Sequence, residues 1–229
     1  MQLIHKRFSL VFGKIEYLNL LPFHVFMKRF VRYSGMKQSM EYHKSVPAKI
    51  NAKFASGRVD AAYISSINAR RCPKPKLGII SKKEVRSVLV IPHLPSKNDI
   101  ESATSNALAK ILNLKGKVLI GDKALRYALT HDDYIDMSAL WYEKTGLPFV
   151  FATLCFNKKG VLGEKLEKNF LKQANSIKIP RYLLHKASKK SAIPPKEILD
   201  YLQLIQYTFD TKSRKSLQKF LNKAKQKNL

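Results

Sequence analysis

An α/β protein of two lobes facing one cleft is what the sequence predicts, and three observations predict it. In the first third, short apolar runs alternate with stripes of helical period, as strand–helix–strand units require. A second and smaller alternation starts near His93. An apolar run over residues 148–156 then leads back to a tail of helical pattern beyond Gly160. The expected first lobe is therefore discontinuous, residues 1–92 and 152–229. Residues 93–151 form a shortened second lobe, and the C-terminal helices pack on the first.

Taken in order, residues 9–17 read as a strand, and Pro22 opens a helix whose Phe23, Phe26, Met27, Phe30 and Val31 make one apolar stripe. Residues 38–46 read as a second strand, and 47–56 as a helix with Ile50 and Phe54 facing inward and Gly57 as its stop. Residues 60–65 are the third strand, continuously apolar as a strand covered on both faces should be. Strands follow at 77–81 and 86–92. In the second lobe a helix carries Leu108, Ile111 and Leu112, a strand spans 117–120, and a helix over 134–144 puts Trp141 on its buried side. In the tail, Pro194-Pro195 opens a helix with Ile198, Leu199, Leu202 and Ile205 on one side. Asp210 or Thr211 caps the last, which carries Leu217, Phe220 and Leu221.

Composition narrows the function. With 45% apolar residues among 229 the chain can build a core, and no apolar run reaches the roughly 18 residues that span a bilayer. No signal peptide is read at the N-terminus. Cys72 and Cys155, 83 residues apart, fit no zinc pattern and no disulfide framework, and are expected as buried reduced thiols. The net charge of +27 invites a polyanion, and +13 of it falls within residues 157–229. Those lysines alternate with apolar residues at helical spacing, as solvated helix faces do, so a basic nucleic-acid binder is the weaker reading.

Phosphate loops, nucleophile elbows and zinc-helix motifs are missing, and no metal or organic cofactor is expected. What stands at the C-terminal ends of the expected strands is a set of small polar residues, where open sheets bind their ligands. Asn19 follows the first strand, and its amide can donate and accept. Ser65 and Ser66 close the third strand and open a helix, Ser87 begins a strand, and Thr104 and Ser105 open the second-lobe helix. Free N–H groups at those helix starts favour carboxylates. Read alone, Asn19, Ser65, Ser66, Thr104 and Ser105 are more often helix caps or turn residues, and Ser87 could face either the cleft or the sheet. Gly121-Asp122 could bind a ligand but reads rather as a helix entry, and His24 is a candidate base on the first helix.

Together these segments resemble a known family. Tyr17-Leu18-Asn19-Leu20-Leu21-Pro22 is similar to the Y-L-N-x-x-P opening of the chorismate dehydratases (MqnA family) of the futalosine route to menaquinone. The stretch from Gly57 to Ser66 resembles that family's G-x-x-D-x-A-x-I-S-S. Val85-Arg86-Ser87-Val88, Ser102-Ala103-Thr104-Ser105, Ile120-Gly121-Asp122 and the run from Trp141 to Ala152 follow in the family's order, as does Tyr201 to Tyr207 in the tail. The departure lies between Leu114 and Lys117, where the family usually carries extra sheet and loop. The resemblance implies a periplasmic-binding-protein type II fold. It also implies loss of water from chorismate to give 3-[(1-carboxyvinyl)oxy]benzoate in the cytoplasm, with a small-molecule substrate and no membrane or nucleic-acid partner. In that reaction Asn19 is the catalytic residue, while Ser65, Ser66, Ser87, Thr104 and Ser105 hold the substrate. The alternatives are the related dihydroxynaphthoate synthase and a non-enzymatic binder of small anions on the same fold.

Overall fold

The computed structural model describes residues 10–31, 39–41, 43–72, 74–157, 159–174 and 176–229. A five-stranded sheet organises the larger lobe, in the order β1 (Phe12–Gly13), β2 (Ala61–Ser65), β7 (Phe149–Phe156), β3 (Leu77–Ser81), β8 (Ile205–Thr208). β1 pairs with β2 in parallel, whereas β7 runs antiparallel to both β2 and β3. A three-stranded sheet organises the smaller lobe, in the order β5 (Lys117–Ile120), β4 (Val88–Ile91), β6 (Ile135–Asp136). β2, β3, β4 and most of β7 are buried, which is why their sequences are apolar nearly throughout.

Helices cover the sheets: α1 (Leu21–Phe30), α2 (Pro47–Ala55), α3 (Ala103–Ile111), α4 (Gly121–Ala128), α5 (Met137–Thr145), α6 (Gly160–Gln173), α7 (Arg181–Ser191), α8 (Pro195–Gln203) and α9 (Thr211–Gln226). Their starts follow from local chemistry. Proline stands in the first turn of α1, α2 and α8, where its missing N–H is harmless. Ser102 caps α3, Asp136 caps α5, and Asp210 and Ser213 form a reciprocal capping box on α9. Asp136 does more than cap. Its carboxylate accepts from Ser138 and Ala139 at the helix start and from Val85 and Arg86 in the crossing segment, so it ties the crossing to the small sheet.

The structure corrects the expected layout in several places. β4 pairs with β5 and β6, so the chain enters the small lobe before Val88 and not at 93; β7 returns it to the large sheet from Phe149 and not 152. The first strand is ladder-paired only over Phe12–Gly13, and its expected first residue, Ser9, lies outside the described residues. In place of a strand over 38–46, residues 39–41 are helical and Lys44 makes one parallel bridge to Lys14; Gln38 is outside the described residues. Ile205, expected on a helix, starts β8, because the edge of β3 offers a ladder that a longer α8 would leave unused. Leu199 is exposed.

Cys72 and Cys155 are joined in a disulfide, with Cα atoms 5.4 Å apart, against the expectation of free thiols. Spacing could not reveal it, because only the folded sheet brings β7 beside the turn after Ser66–Arg71. The last helix also reaches further than the first lobe. α9 packs on β7 and α3 at once, Trp141 donates to Ser216 on it at 3.0 Å, and Lys227 Nζ reaches the carbonyl of Lys110 at 3.0 Å. One continuous core runs from Phe12 and Phe23 through Leu108 and Val118 to Phe220, so the two lobes are not independent bodies.

Candidate functional site

Where the two sheets face each other, a cavity of about 610 Å³, counting the space of its mouth, opens between the lobes. The lining comes from both sides: Tyr17, Asn19, Tyr63 and Ser65 from the large lobe, and Ser87, Ser102, Ser105 and Gly121 from the small one. Among the described residues no Asp, Glu, Lys, Arg or His side chain lines it. Polar character comes instead from hydroxyls, one amide and the starts of helices. Pro47 lies in the first turn of α2, Ser102 and Ser105 at the start of α3, and Gly121 at the start of α4. Three helix N-termini aimed at one apolar space give it the partial positive charge that an anionic ligand needs.

Asn19 occupies a 3₁₀ turn, Leu18–Leu20, between β1 and α1. Two buried tyrosines from the far end of the chain hold it. Tyr207 Oη donates to the Asn19 carbonyl at 2.8 Å, and the Tyr201 hydroxyl interacts with the Asn19 side chain. Tyr201 also shares a 2.9 Å hydrogen bond with Ser87 Oγ, so Asn19, Tyr201 and Ser87 form one linked set drawn from three parts of the sequence. Burial raises both phenols well above their ordinary range, which keeps them neutral.

Ser65 ends β2 in the grip of Asn51, whose Nδ2 donates to Ser65 Oγ at 2.7 Å and whose Oδ1 accepts from Ser65 N at 3.1 Å. Having accepted from Asn51, the Ser65 hydroxyl keeps its proton to donate to a ligand. Ser105 is arranged the same way: Ser102 Oγ donates to Ser105 Oγ at 2.9 Å. The other expected contacts are placed differently. Ser66 spends its hydroxyl on the Val150 carbonyl at 2.6 Å, and Thr104 Oγ1 accepts from Ile67 N at 3.2 Å, a link between the lobes. Neither lines the cavity. His24 lines a separate cavity with Lys14 and Glu41, and burial together with the nearby Lys14 pushes it down to about 3. The structure thus separates this candidate base from Asn19's cavity.

A second set of contacts ties the rim together. Tyr17 Oη donates to Glu101, Lys123 Nζ pairs with Asp99 at 2.7 Å and Glu101 at 3.6 Å, and Leu18 N donates to Asp122 Oδ1 at 3.1 Å. Gly121 makes this approach possible: its φ is +66°, and a Cβ there would stand 3.1 Å from the Tyr17 ring. Asp122 stands in the first turn of α4, as a helix-entry residue should, and its carboxylate also binds the turn that carries Asn19; burial raises its pKa against the pull of Leu18 N. Tyr201, Tyr207 and Asn51 are not among the site residues expected from the sequence. The one signal for the tyrosines was their recurrence six residues apart in the tail segment already matched to the family.

Comparison with known proteins gives three further findings. A family model described as menaquinone biosynthesis matches residues 10–117 and 112–226. The protein named chorismate dehydratase from Campylobacter jejuni is 44% identical over 224 residues, covering 96% of this chain and all of its own. Among solved structures, a protein from Archaeoglobus fulgidus aligns with a TM-score of 0.68 at 14% identity, covering 96% of this chain and 98% of its own. The periplasmic aliphatic sulphonate binding protein of Escherichia coli aligns at 0.50 and 9%, covering 96% and 88%. At such identities the structural likeness speaks for the fold alone, and the fold is that of the periplasmic binding proteins.

Proposed function

The chain belongs to the menaquinone biosynthesis family, and from that premise we propose that it is a chorismate dehydratase. It eliminates water from chorismate to give 3-[(1-carboxyvinyl)oxy]benzoate, acting as a carbon–oxygen lyase in the cytoplasm; no helix among the described residues is long and apolar enough to cross a membrane. The observation that carries the reading is a cavity lined, among the described residues, by no Asp, Glu, Lys, Arg or His side chain, in which the Asn19 amide and the Ser65 and Ser105 hydroxyls converge with three helix starts. That environment suits a small dicarboxylate whose own structure drives the reaction.

Chorismate supplies the driving force, because loss of one ring proton and the neighbouring hydroxyl makes its ring aromatic. The proton is acidified by conjugation through the diene to the ring carboxylate. The protein has to hold the two carboxylates, orient the scissile C–H and C–O bonds, and stabilise the charge that spreads into the ring. Ser65 and Ser105, each with a proton to give, fit the carboxylates from opposite lobes. Asn19, fixed at its carbonyl by Tyr207, orients the reacting centre and donates to the developing charge. With no basic side chain among the described residues that line the cavity, the enolpyruvyl carboxylate of the substrate takes the ring proton. The C–O bond then breaks, and the departing hydroxyl takes that proton back from the enolpyruvyl carboxyl group and leaves as water, which restores the carboxylate. Ser66 and Thr104 act in this scheme by shaping the hinge side of the cleft and linking the lobes, and His24 takes no part.

Incubating the purified protein with chorismate and following the aromatic product by chromatography tests the proposal. Wild type forms the product, Asn19→Ala forms it at least about 100-fold more slowly, and His24→Ala stays near wild type. Absence of product from the wild type overturns the function, and full activity in Asn19→Ala overturns the role of the amide.

A further inference from the structure

Three phenols are buried around the cavity, and two of them are accounted for. Tyr201 is bonded to Ser87 and Tyr207 to the Asn19 carbonyl. The third is Tyr63 in the middle of β2, two residues before Ser65 and therefore on the same face of the strand. Its ring is fixed from the apolar side, edge-on to Phe23 at 5.0 Å between centroids, and Phe23 in turn packs on Phe12 and Phe170. Tyr63 is 2% exposed and lines the cavity, yet its hydroxyl has no hydrogen-bond partner among the described residues.

An unpaired hydroxyl in an apolar setting destabilises the protein that holds it, and phenylalanine would fill the same space without that penalty. The hydroxyl therefore needs a partner that arrives with the ligand. We infer that Tyr63 is a substrate-contacting residue, whose phenol donates one hydrogen bond to an oxygen of the bound substrate at the apolar end of the cavity. The position is one that the family-like stretch from Gly57 to Ser66 leaves unspecified, so the motif itself does not assign it. Burial keeps the phenol neutral, hence a donor and not a base. With Ser65 two residues on, β2 thus presents two donors along one edge of the ligand, and the pair selects for a ring bearing oxygen at the matching separation.

This rests on the dehydratase reading, and Tyr63→Phe beside the wild type tests the two separately. The variant keeps the ring and its packing. Without ligand it should melt at the same temperature as the wild type or higher, since an unpaired group has been removed, while kcat/KM for chorismate falls about tenfold. A fall of less than threefold overturns the inference. So does a loss of several degrees in Tm, which would mean that the hydroxyl is bonded inside the free protein. If the wild type itself leaves chorismate unchanged, the functional reading fails. The hydroxyl is then judged on the thermal shift that chorismate gives each protein, and equal shifts overturn it.

Discussion

Removing the Tyr201 hydroxyl should harm stability and rate together, because that oxygen joins the fold to the site. Tyr201 is buried on α8; its partner Ser87 is buried at the start of β4, and the bond between them measures 2.9 Å. Tyr201→Phe loses one hydrogen bond, worth about 1 kcal/mol net, and strands the Ser87 hydroxyl, which adds about 1–2 kcal/mol. The total is roughly 2–3 kcal/mol, which for a chain of this size lowers Tm by about 5–10 °C. The Asn19 side chain loses a restraint at the same time, and a misplacement worth about 1.4 kcal/mol slows turnover about tenfold. Thermal denaturation and initial rates of chorismate loss read the two effects. Adding Ser87→Ala removes the stranded group, so the double variant should be less destabilised than the sum of the single ones, by about 1 kcal/mol. If Tyr201→Phe melts within 1 °C of wild type and keeps full rate, the linked set of Asn19, Tyr201 and Ser87 does not act as described.

Two further outcomes concern charge and covalent structure. Glu16 is surrounded by Lys14, Lys44 and Lys190; burial works to raise its pKa, but hydrogen bonds from Lys190 and Lys14 outweigh it and hold it at about 2. A carboxylate depressed in the folded state stabilises above its unfolded pKa of about 4.5 and loses that contribution as pH falls toward 2. Discounted for solvent screening, the contribution is about 1 kcal/mol. The Tm gap between wild type and Glu16→Gln should therefore be present at pH 7 and close on acidification; a gap constant from pH 7 to pH 2 refutes it. For Cys72 and Cys155, alkylation of the unfolded protein without reductant should add no mass, and two adducts would show free thiols.

The fold was legible where local chemistry decided it. Pro22, Pro47 and Asp210 mark helix starts that need nothing from elsewhere, and the apolar runs over Ala61–Ser65 and Leu77–Ser81 can only be covered strands. Ile205 misled because it continues the helical spacing of Ile198 and Leu202, and only the open edge of β3 turns the chain into a strand. The lobe boundary slipped for a similar reason. Val88–Ile91 is equally apolar in either sheet, and its partners β5 and β6 come later in the chain. At the site, Asn19, Ser65 and Ser105 stood out because they follow or end strands or open helices, and Ser87 because it stands at the start of a strand. Ser66 and Thr104 have the same local signature and different partners, so no local rule could separate them. Tyr63, Tyr201 and Tyr207 are core aromatics, and their hydroxyls acquire meaning only when residues up to 188 positions apart meet.

β7 lies at the centre of the five-stranded sheet, between β2 and β3, yet it is made after the whole smaller lobe. On the ribosome, β2 and β3 emerge long before the strand that separates them, and β8 follows some fifty residues later still. Until Phe149–Phe156 leaves the exit tunnel, β2 and β3 each show an unpaired apolar edge of the kind that seeds aggregation. Stalled or shortened translation products of this chain should therefore be clients for chaperones, and the first half expressed alone should be insoluble.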